Sequence, residues 1–166
     1  AAYFNTAAWT TDFPTTTENH FFTDSTTVFE YSTAHRLSYN TQIIIARKFS
    51  KSFSMQIAPV FIYHNLVDPG KENYTVAIPV SGRLKIGMNS SVIFEYAHAL
   101  NNRSDDYVDP ISLGVEFGTV GHTFQFVISS SQSFLEQNLY TQDSYDYNEG
   151  SFLLGFNIKR TFWRKK

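Results

Sequence analysis

The chain has 166 residues, of which 17% are charged and 17% aromatic, and its net charge at pH 7 is −2. Soluble domains average roughly 25% charged residues, and a nearly neutral chain does not suggest nucleic acid as a partner. The absence of cysteine excludes disulfides and thiolate metal sites. No apolar run has the length of about 18 residues that a membrane-spanning helix needs. The opening AAYFNTAAW lacks signal-peptide character, as expected of a mature chain or a fragment.

Polar and apolar residues alternate with a period of two along most of the chain, which predicts β-strands. A weaker candidate, YFNTAAWT, comes first, and RLSYNTQIIIARKF at residues 36–49 is the clearest case. The pattern recurs in FSMQIAPVFIY, YTVAIPVSGRLKI, SVIFEYA, ISLGVEF, TFQFVIS and SFLLGFNIKRTF. These segments predict about eight strands. Pro59 and Pro79 fall inside two of them, which is typical of an edge strand or a bulge.

The predicted connections alternate in length. Short turns are expected at 50–52, 88–90 and 119–122, and long loops at about 12–33, 65–73, 100–110 and 130–150. Alternate connections of an up-and-down meander lie at the same end, so the short turns share one end and the long loops the other. Outer-membrane barrels have this anatomy. We therefore expect residues 1–166 to form one domain, an all-β transmembrane antiparallel up-and-down β-barrel with about eight strands, complete or part of a larger barrel.

The two faces of the predicted strands differ in chemistry. One face is polar or small, and its lumen-lining candidates are Arg83, Lys85, Glu95, Glu116, Gln56 and Gln125. The other is large and aromatic, and its lipid-facing candidates are Phe94, Phe117, Phe124, Phe126, Phe152 and Phe156. A soluble lipocalin-like barrel puts its apolar face inside, around a ligand, whereas a membrane barrel puts it outside. Small residues suit a crowded concave interior, so we expect the aromatic face to contact lipid.

One pairing inside the barrel follows from the shortest turn. If Met88, Asn89 and Ser90 form a hairpin loop, Arg83 lies directly opposite Glu95. The Cβ atoms of such a pair are about 4.5–5.5 Å apart. We expect this pair to neutralise two interior charges rather than to act in catalysis.

From AHRLSYNTQIIIARKFSKSFSMQIAPVFIYHNLV onward, the chain resembles a family of uncharacterised bacterial outer-membrane β-barrel proteins, a domain of unknown function. The matching pieces include SGRLKI, ISLGVEFGTVGHTFQF and FLLGFNIKRTF, and they cover most of residues 34–162. Members of that family have several strands before the matched region, so the resemblance implies that this chain is their C-terminal portion. It also implies an outer-membrane location in a Gram-negative bacterium and no known activity.

No chemical motif stands out. His20, His35, His64, His98 and His122 show no metal-ligand spacing, and no nucleophile elbow or zinc-protease motif is present. We expect no catalytic residue, no cofactor and no metal.

Three roles remain open. The leading hypothesis is a structural or accessory barrel in an envelope complex, in contact with outer-membrane lipid and with other envelope proteins through the long loops, its termini in the periplasm. A small-solute channel, lined by the polar face, is the alternative. A membrane-embedded enzyme or a soluble ligand carrier is less favoured.

Overall fold

The computed structural model describes residues 2–8, 33–67, 71–101, 107–131, 133, 136–141 and 145–162. Its strands are β1 (Ala2–Ala8), β2 (Leu37–Ile43), β3 (Ile45–Lys48), β4 (Phe53–Ile57), β5 (Val60–His64), β6 (Tyr74–Lys85), β7 (Ser90–Ala99), β8 (Ile111–Gly118), β9 (His122–Ser129) and β10 (Leu153–Arg160). Two 3-10 turns, Thr33–Arg36 and Tyr147–Glu149, and one short helix, α1 (Glu136–Leu139), complete the described elements. None of the helices in these residues is long and apolar enough to cross a membrane.

All described strands belong to one antiparallel sheet. Its path runs β1–β2–β5–β6–β7–β8–β9–β10, while β3 pairs with β4 and β4 pairs with β6. When β2 and β3 are counted as one run and β4 and β5 as another, sequential neighbours pair throughout, and the predicted all-β antiparallel meander is confirmed. The connections at 65–73, 100–110 and 130–152 are the long ones, and the predicted loop at 12–33 lies outside the described residues except for Thr33.

The ten strands form eight continuous runs, because two of the interruptions leave the register unchanged. Gln42 pairs with Val60 on one side of the first interruption, and Ile45 pairs with Ile57 on the other, so no residue is gained or lost. The segments 37–48 and 53–64 are thus each one long strand, as the period-two pattern predicts.

The prolines explain these interruptions. The carbonyl of Pro59 accepts a hydrogen bond from the Ile43 N–H, and the carbonyl of Pro79 accepts one from the Ala58 N–H, each at 3.0 Å. The N and C=O of an antiparallel strand residue point to the same neighbour. Each proline therefore directs the nitrogen that lacks a hydrogen toward the interrupted segment. The predicted edge or bulge is wrong: both prolines sit inside the sheet in an unshifted register.

A glycine permits close packing between the central strands. Gly114 on β8 pairs with Ile93 and Val127, and a Cβ atom at Gly114 would lie 2.7 Å from the Phe126 carbonyl oxygen and 2.9 Å from the Val127 Cγ2. The first of these atoms belongs to the backbone and cannot turn away. Only glycine fits there without moving β9.

Gly114→Ala is expected to lower the free energy of unfolding by about 1–3 kcal/mol, the usual cost of overpacking. Gly155→Ala is the matched control, since Gly155 pairs with the same Val127 and an added Cβ would have its nearest neighbour at 3.7 Å, an ordinary contact. Denaturant unfolding in lipid vesicles measures both. Equal stabilities for the two variants would contradict the packing argument.

The inner face changes character along its length. At the long-loop end it is closely packed, with an apolar cluster that lies beside buried polar residues such as Asn40 and Thr75 and is made of Val60, Ile62, Ala77, Ala97, Ala99, Tyr107 and Tyr140. Ile62 is completely buried there. Toward the short-turn end the same face becomes polar. The small alanines and two loop tyrosines pack together in the upper interior, and a cavity lies below them.

Candidate functional site

The polar part of the inner face surrounds a cavity of about 850 Å³. Five of the six lumen-lining candidates border it: Gln56, Arg83, Glu95, Glu116 and Gln125. The sixth candidate, Lys85 on β6, pairs with Ser91 on β7, and Ser91 pairs with Glu116 on β8. Lys85 therefore projects from the same side of the sheet as Glu116. All six therefore lie on the same side of the sheet.

Arg83, Glu116 and Gln125 form one hydrogen-bonded group in this cavity. The Arg83 Nε and Nη2 donate to Glu116 Oε1 at 2.9 and 2.7 Å, and Gln125 Nε2 donates to Glu116 Oε2 at 2.8 Å. Both carboxylate oxygens of Glu116 are thus engaged. The Arg83 side chain is half exposed, whereas that of Glu116 is 12% exposed. A charge-assisted pair of this kind fixes both side chains against the wall.

The predicted Arg83–Glu95 pair is wrong. Arg83 lies opposite Ile93, and Glu95 lies opposite Ser81. The turn between β6 and β7 is made of residues 87–89 rather than 88–90, because the Ile86 N–H donates to the Ser90 carbonyl at 3.0 Å. Moving the turn by one residue shifts the pairing by two. The face assignment is unaffected, since a shift of two preserves parity.

The aromatic residues lie on the opposite side of the sheet. Four of the lipid-facing candidates have exposed side chains on the isolated chain: Phe117, Phe126, Phe152 and Phe156. Phe94 and Phe124 are half-buried by their neighbours. The Phe94 ring lies over Gly82, and the ring centroids of Phe124 and Phe156 are 6.5 Å apart. Phe126 and Phe156 are paired across β9 and β10, with ring centroids 4.8 Å apart. The result is a continuous apolar outer surface.

A loop segment enters the interior at the long-loop end. We call residues 136–141, which contain α1, the plug segment. Gln137 in this segment is completely buried, and its Nε2 donates to Asn5 Oδ1 at 2.5 Å. The His64 Nε2 donates to the Gln137 carbonyl at 3.3 Å, and the Tyr107 hydroxyl donates to the Tyr140 carbonyl at 3.3 Å. The plug segment is therefore held by side chains of β1, β5 and the 100–110 loop.

A second polar group lies on the outer face at the long-loop end. Asp109, which is 9% exposed, accepts hydrogen bonds on Oδ2 from the Tyr96 hydroxyl and from His98 Nδ1, each at 2.8 Å. Its Oδ1 accepts a longer one, 3.4 Å, from the Ala99 N–H. These contacts hold the 100–110 loop against the outer wall of β7.

Three of the histidines have different neighbours. His64 contacts the plug segment, His98 contacts Asp109, and His122 stacks on Phe124 with centroids 6.3 Å apart. His20 lies outside the described residues. The described part of the chain contains no group of three or more His, Cys, Asp or Glu side chains placed to hold a metal.

Sequence reasoning missed both the plug segment and the Asp109 group. Each lies in a loop, where no periodic pattern of hydrophobic residues indicates which side chains point into the protein. The sequence signal that could have pointed to them is modest: aromatic residues such as Tyr107 and Tyr140 inside loops that are otherwise polar.

Comparison with protein families gives one match, to the family described as a membrane bound beta barrel domain, DUF5777, over residues 1–162. The match includes residues 1–33, ahead of the region in which the sequence resemblance was recognised. Comparison with curated proteins and with solved structures gave no match. The antiparallel meander, its apolar outer face and the extent of the family match agree, and the chain belongs to the DUF5777 family of membrane-bound β-barrel domains.

Proposed function

We propose that this protein is an integral outer-membrane barrel with a structural or accessory role in an envelope complex, and that its interior is closed by the plug segment. The observation that carries this proposal is the complete burial of Gln137 inside the barrel wall, with hydrogen bonds to Asn5 and His64. A segment held on two sides blocks a path along the lumen. The proposed role involves no catalysis.

Aromatic rows support a bilayer orientation with the long loops outside and the short turns and termini in the periplasm. Tyr39, Tyr63 and Tyr74 pair side by side near the long-loop end. Phe49 and Phe53 meet at the short-turn end, with centroids 5.9 Å apart. Aromatic side chains concentrate at both membrane interfaces, and outer-membrane barrels keep their short turns on the periplasmic side.

Contacts with other envelope proteins would come from the long loops. Asp109 fixes residues 107–110 and the contacts of Gln137 fix residues 136–141, and both segments lie at the long-loop end of the barrel. A prearranged loop surface loses less conformational entropy on binding than a flexible one.

Planar-bilayer recording of the purified protein tests the proposal. The unaltered protein is expected to stay silent. Replacing residues 136–141 with a Gly-Ser segment of equal length is expected to produce conductance steps, whereas the same replacement at 145–149, in the same loop but outside the plug segment, is expected to leave the protein silent. Steps from the unaltered protein would contradict a closed interior.

A small-solute channel is the second candidate, because the cavity of about 850 Å³ is polar and lined by Arg83, Glu95 and Glu116. Charged rings of this kind set ion preference in pores. Steady conductance of the unaltered protein, with a selectivity that changes on Glu95→Lys, would favour this function over the first.

A further inference from the structure

Glu95 has no countercharge among the described residues, because Ser81 and not Arg83 lies opposite it. Glu95 projects from the inner face of β7 between Ser81 and Ser112. Within the part of the chain that the structure describes, no lysine or arginine forms an ion pair with it. Arg83, the partner expected from the sequence, forms its ion pair with Glu116 instead. An interior carboxylate with no partner is costly unless a proton or a bound cation neutralises it.

A second carboxylate comes from the plug segment. Glu136 Oε2 accepts a long hydrogen bond of 3.4 Å from Asn5 Nδ2. Glu95 and Glu136 both lie close to Tyr140: burial first, and then the charges of these two carboxylates and the phenol of Tyr107, raise the pKa of Tyr140. Two carboxyl groups thus share the interior beside the plug segment.

Unpartnered amide groups lie in the same place. Asn40 is completely buried, and neither its Nδ2 nor its Oδ1 has a hydrogen-bond partner. Gln137 is also completely buried, and its Oε1 has none. Buried polar atoms in folded proteins are almost always satisfied, and those without a protein partner commonly contact ordered water or an ion.

The register brings these groups together. Asn40 lies directly opposite Asn5 on the inner face of β1 and β2. Asn5 in turn contacts the side chains of both Glu136 and Gln137. The carboxylate of Glu136, the amide of Gln137 and the amide of Asn40 therefore converge on the side chain of a single residue.

We propose that this junction between the plug segment and the barrel wall binds Ca²⁺, through the Glu136 carboxylate and the amide oxygens of Asn40 and Gln137, with Glu95 supplying the second negative charge. Carboxylate and amide oxygens are the ligands that Ca²⁺ prefers, with water completing its coordination. Two carboxylates balance one divalent ion. The bound ion connects the plug segment to β2 as well as to β1. This second attachment holds the plug segment in the lumen. No metal was expected from the sequence, because the histidines show no metal-ligand spacing.

Tb³⁺ luminescence tests the site, because Tb³⁺ replaces Ca²⁺ and is excited by energy transfer from a nearby tyrosine such as Tyr140. The full chain in detergent micelles is expected to give a Tb³⁺ signal that excess Ca²⁺ removes. Glu136→Gln and Glu95→Gln are each expected to weaken Tb³⁺ affinity by roughly tenfold or more, in the range seen when support for a bound metal is lost. Glu149→Gln, an exposed acidic residue of the same loop, is the matched control and should bind as the unaltered protein does.

Each outcome decides the proposal. Absence of a displaceable Tb³⁺ signal, or equal signals from Glu136→Gln and Glu149→Gln, would overturn it and leave water as the partner of Asn40. A rise in thermal unfolding temperature with Ca²⁺, present in the control and lost in Glu136→Gln, would support it independently and shows that both variants are folded. The test does not depend on conductance, so the proposed closed-barrel function and the ion site can fail separately.

Discussion

An arginine in place of Phe126 is expected to lower the free energy of unfolding by about 2–4 kcal/mol, the cost of a cation on the lipid face near the bilayer midplane. Phe126 lies in the middle of β9, with its ring against Phe156 and its side chain 52% exposed on the isolated chain. In a bilayer, lipid tails cover that exposed part. Unfolding of the variant in vesicles, followed over urea concentration, measures the loss.

The neighbouring Gln125 provides the control, because it is one residue away in β9 and faces the cavity. There its amide donates to Glu116. Gln125→Arg keeps a donor for that carboxylate and meets water rather than lipid, so we expect its stability to stay close to that of the unaltered protein. A larger loss from Gln125→Arg than from Phe126→Arg would mean that the two faces have been assigned the wrong way round.

Removal of the Asp109 carboxylate is expected to be the second largest effect, with Asp109→Ala lowering the free energy of unfolding by about 2–3 kcal/mol. Asp109 is 9% exposed and accepts hydrogen bonds from Tyr96, His98 and the Ala99 N–H. Its loss leaves several donors near the protein surface without their acceptor. The 100–110 loop is then expected to detach from β7, which limited proteolysis of reconstituted protein would detect as a new cleavage.

Tyr96→Phe separates the contribution of one hydrogen bond from that of the whole group. It removes the hydroxyl that donates to Asp109 and keeps the ring on the outer face. A cost of about 1 kcal/mol is expected for this single bond. If Asp109→Ala cost no more than Tyr96→Phe, the loop would have to be held by other contacts.

The sequence predicted the strands well, and it also predicted which residues share a side of the sheet, for a physical reason. Which of the two sides contacts lipid stays a prediction. A side-chain period of two is imposed by the pleat, so residues such as Phe126 and Gln125 reveal their opposite faces without any three-dimensional information. The six polar candidates accordingly fall on one side of the sheet, and the aromatic candidates on the other. Membership of a membrane-bound barrel family agrees with the fold class expected from this pattern.

Register was less predictable, because it depends on where a turn closes. Gly87, Met88, Asn89 and Ser90 allow two hairpin loops that differ by one residue, and composition does not favour one over the other. The loop that forms brings the Arg83 guanidinium on β6 within hydrogen-bonding distance of the Glu116 carboxylate on β8. This contact follows only from the observed register. The prediction for Pro59 and Pro79 was wrong because each proline interrupts the hydrogen-bond ladder locally without shifting the register.

The contacts of the plug segment could not be predicted at all. Gln137 is polar and sits in a long acidic loop, where the expected environment is water, yet it is completely buried. Its burial depends on Asn5, which is 132 residues away in the sequence. Contacts between polar residues so far apart in the chain produce no periodic pattern in the sequence.

Collision accessibility of nitroxide labels tests the central claim most directly, because the chain has no native cysteine and single labels can be placed at will. Labels at Phe126→Cys and Gln125→Cys, in protein reconstituted into bilayers, would be exposed in turn to oxygen, which concentrates in lipid, and to a water-soluble nickel complex. We expect high oxygen and low nickel accessibility at 126, and the reverse at 125. Nickel access at 126 together with oxygen access at 125 would contradict it.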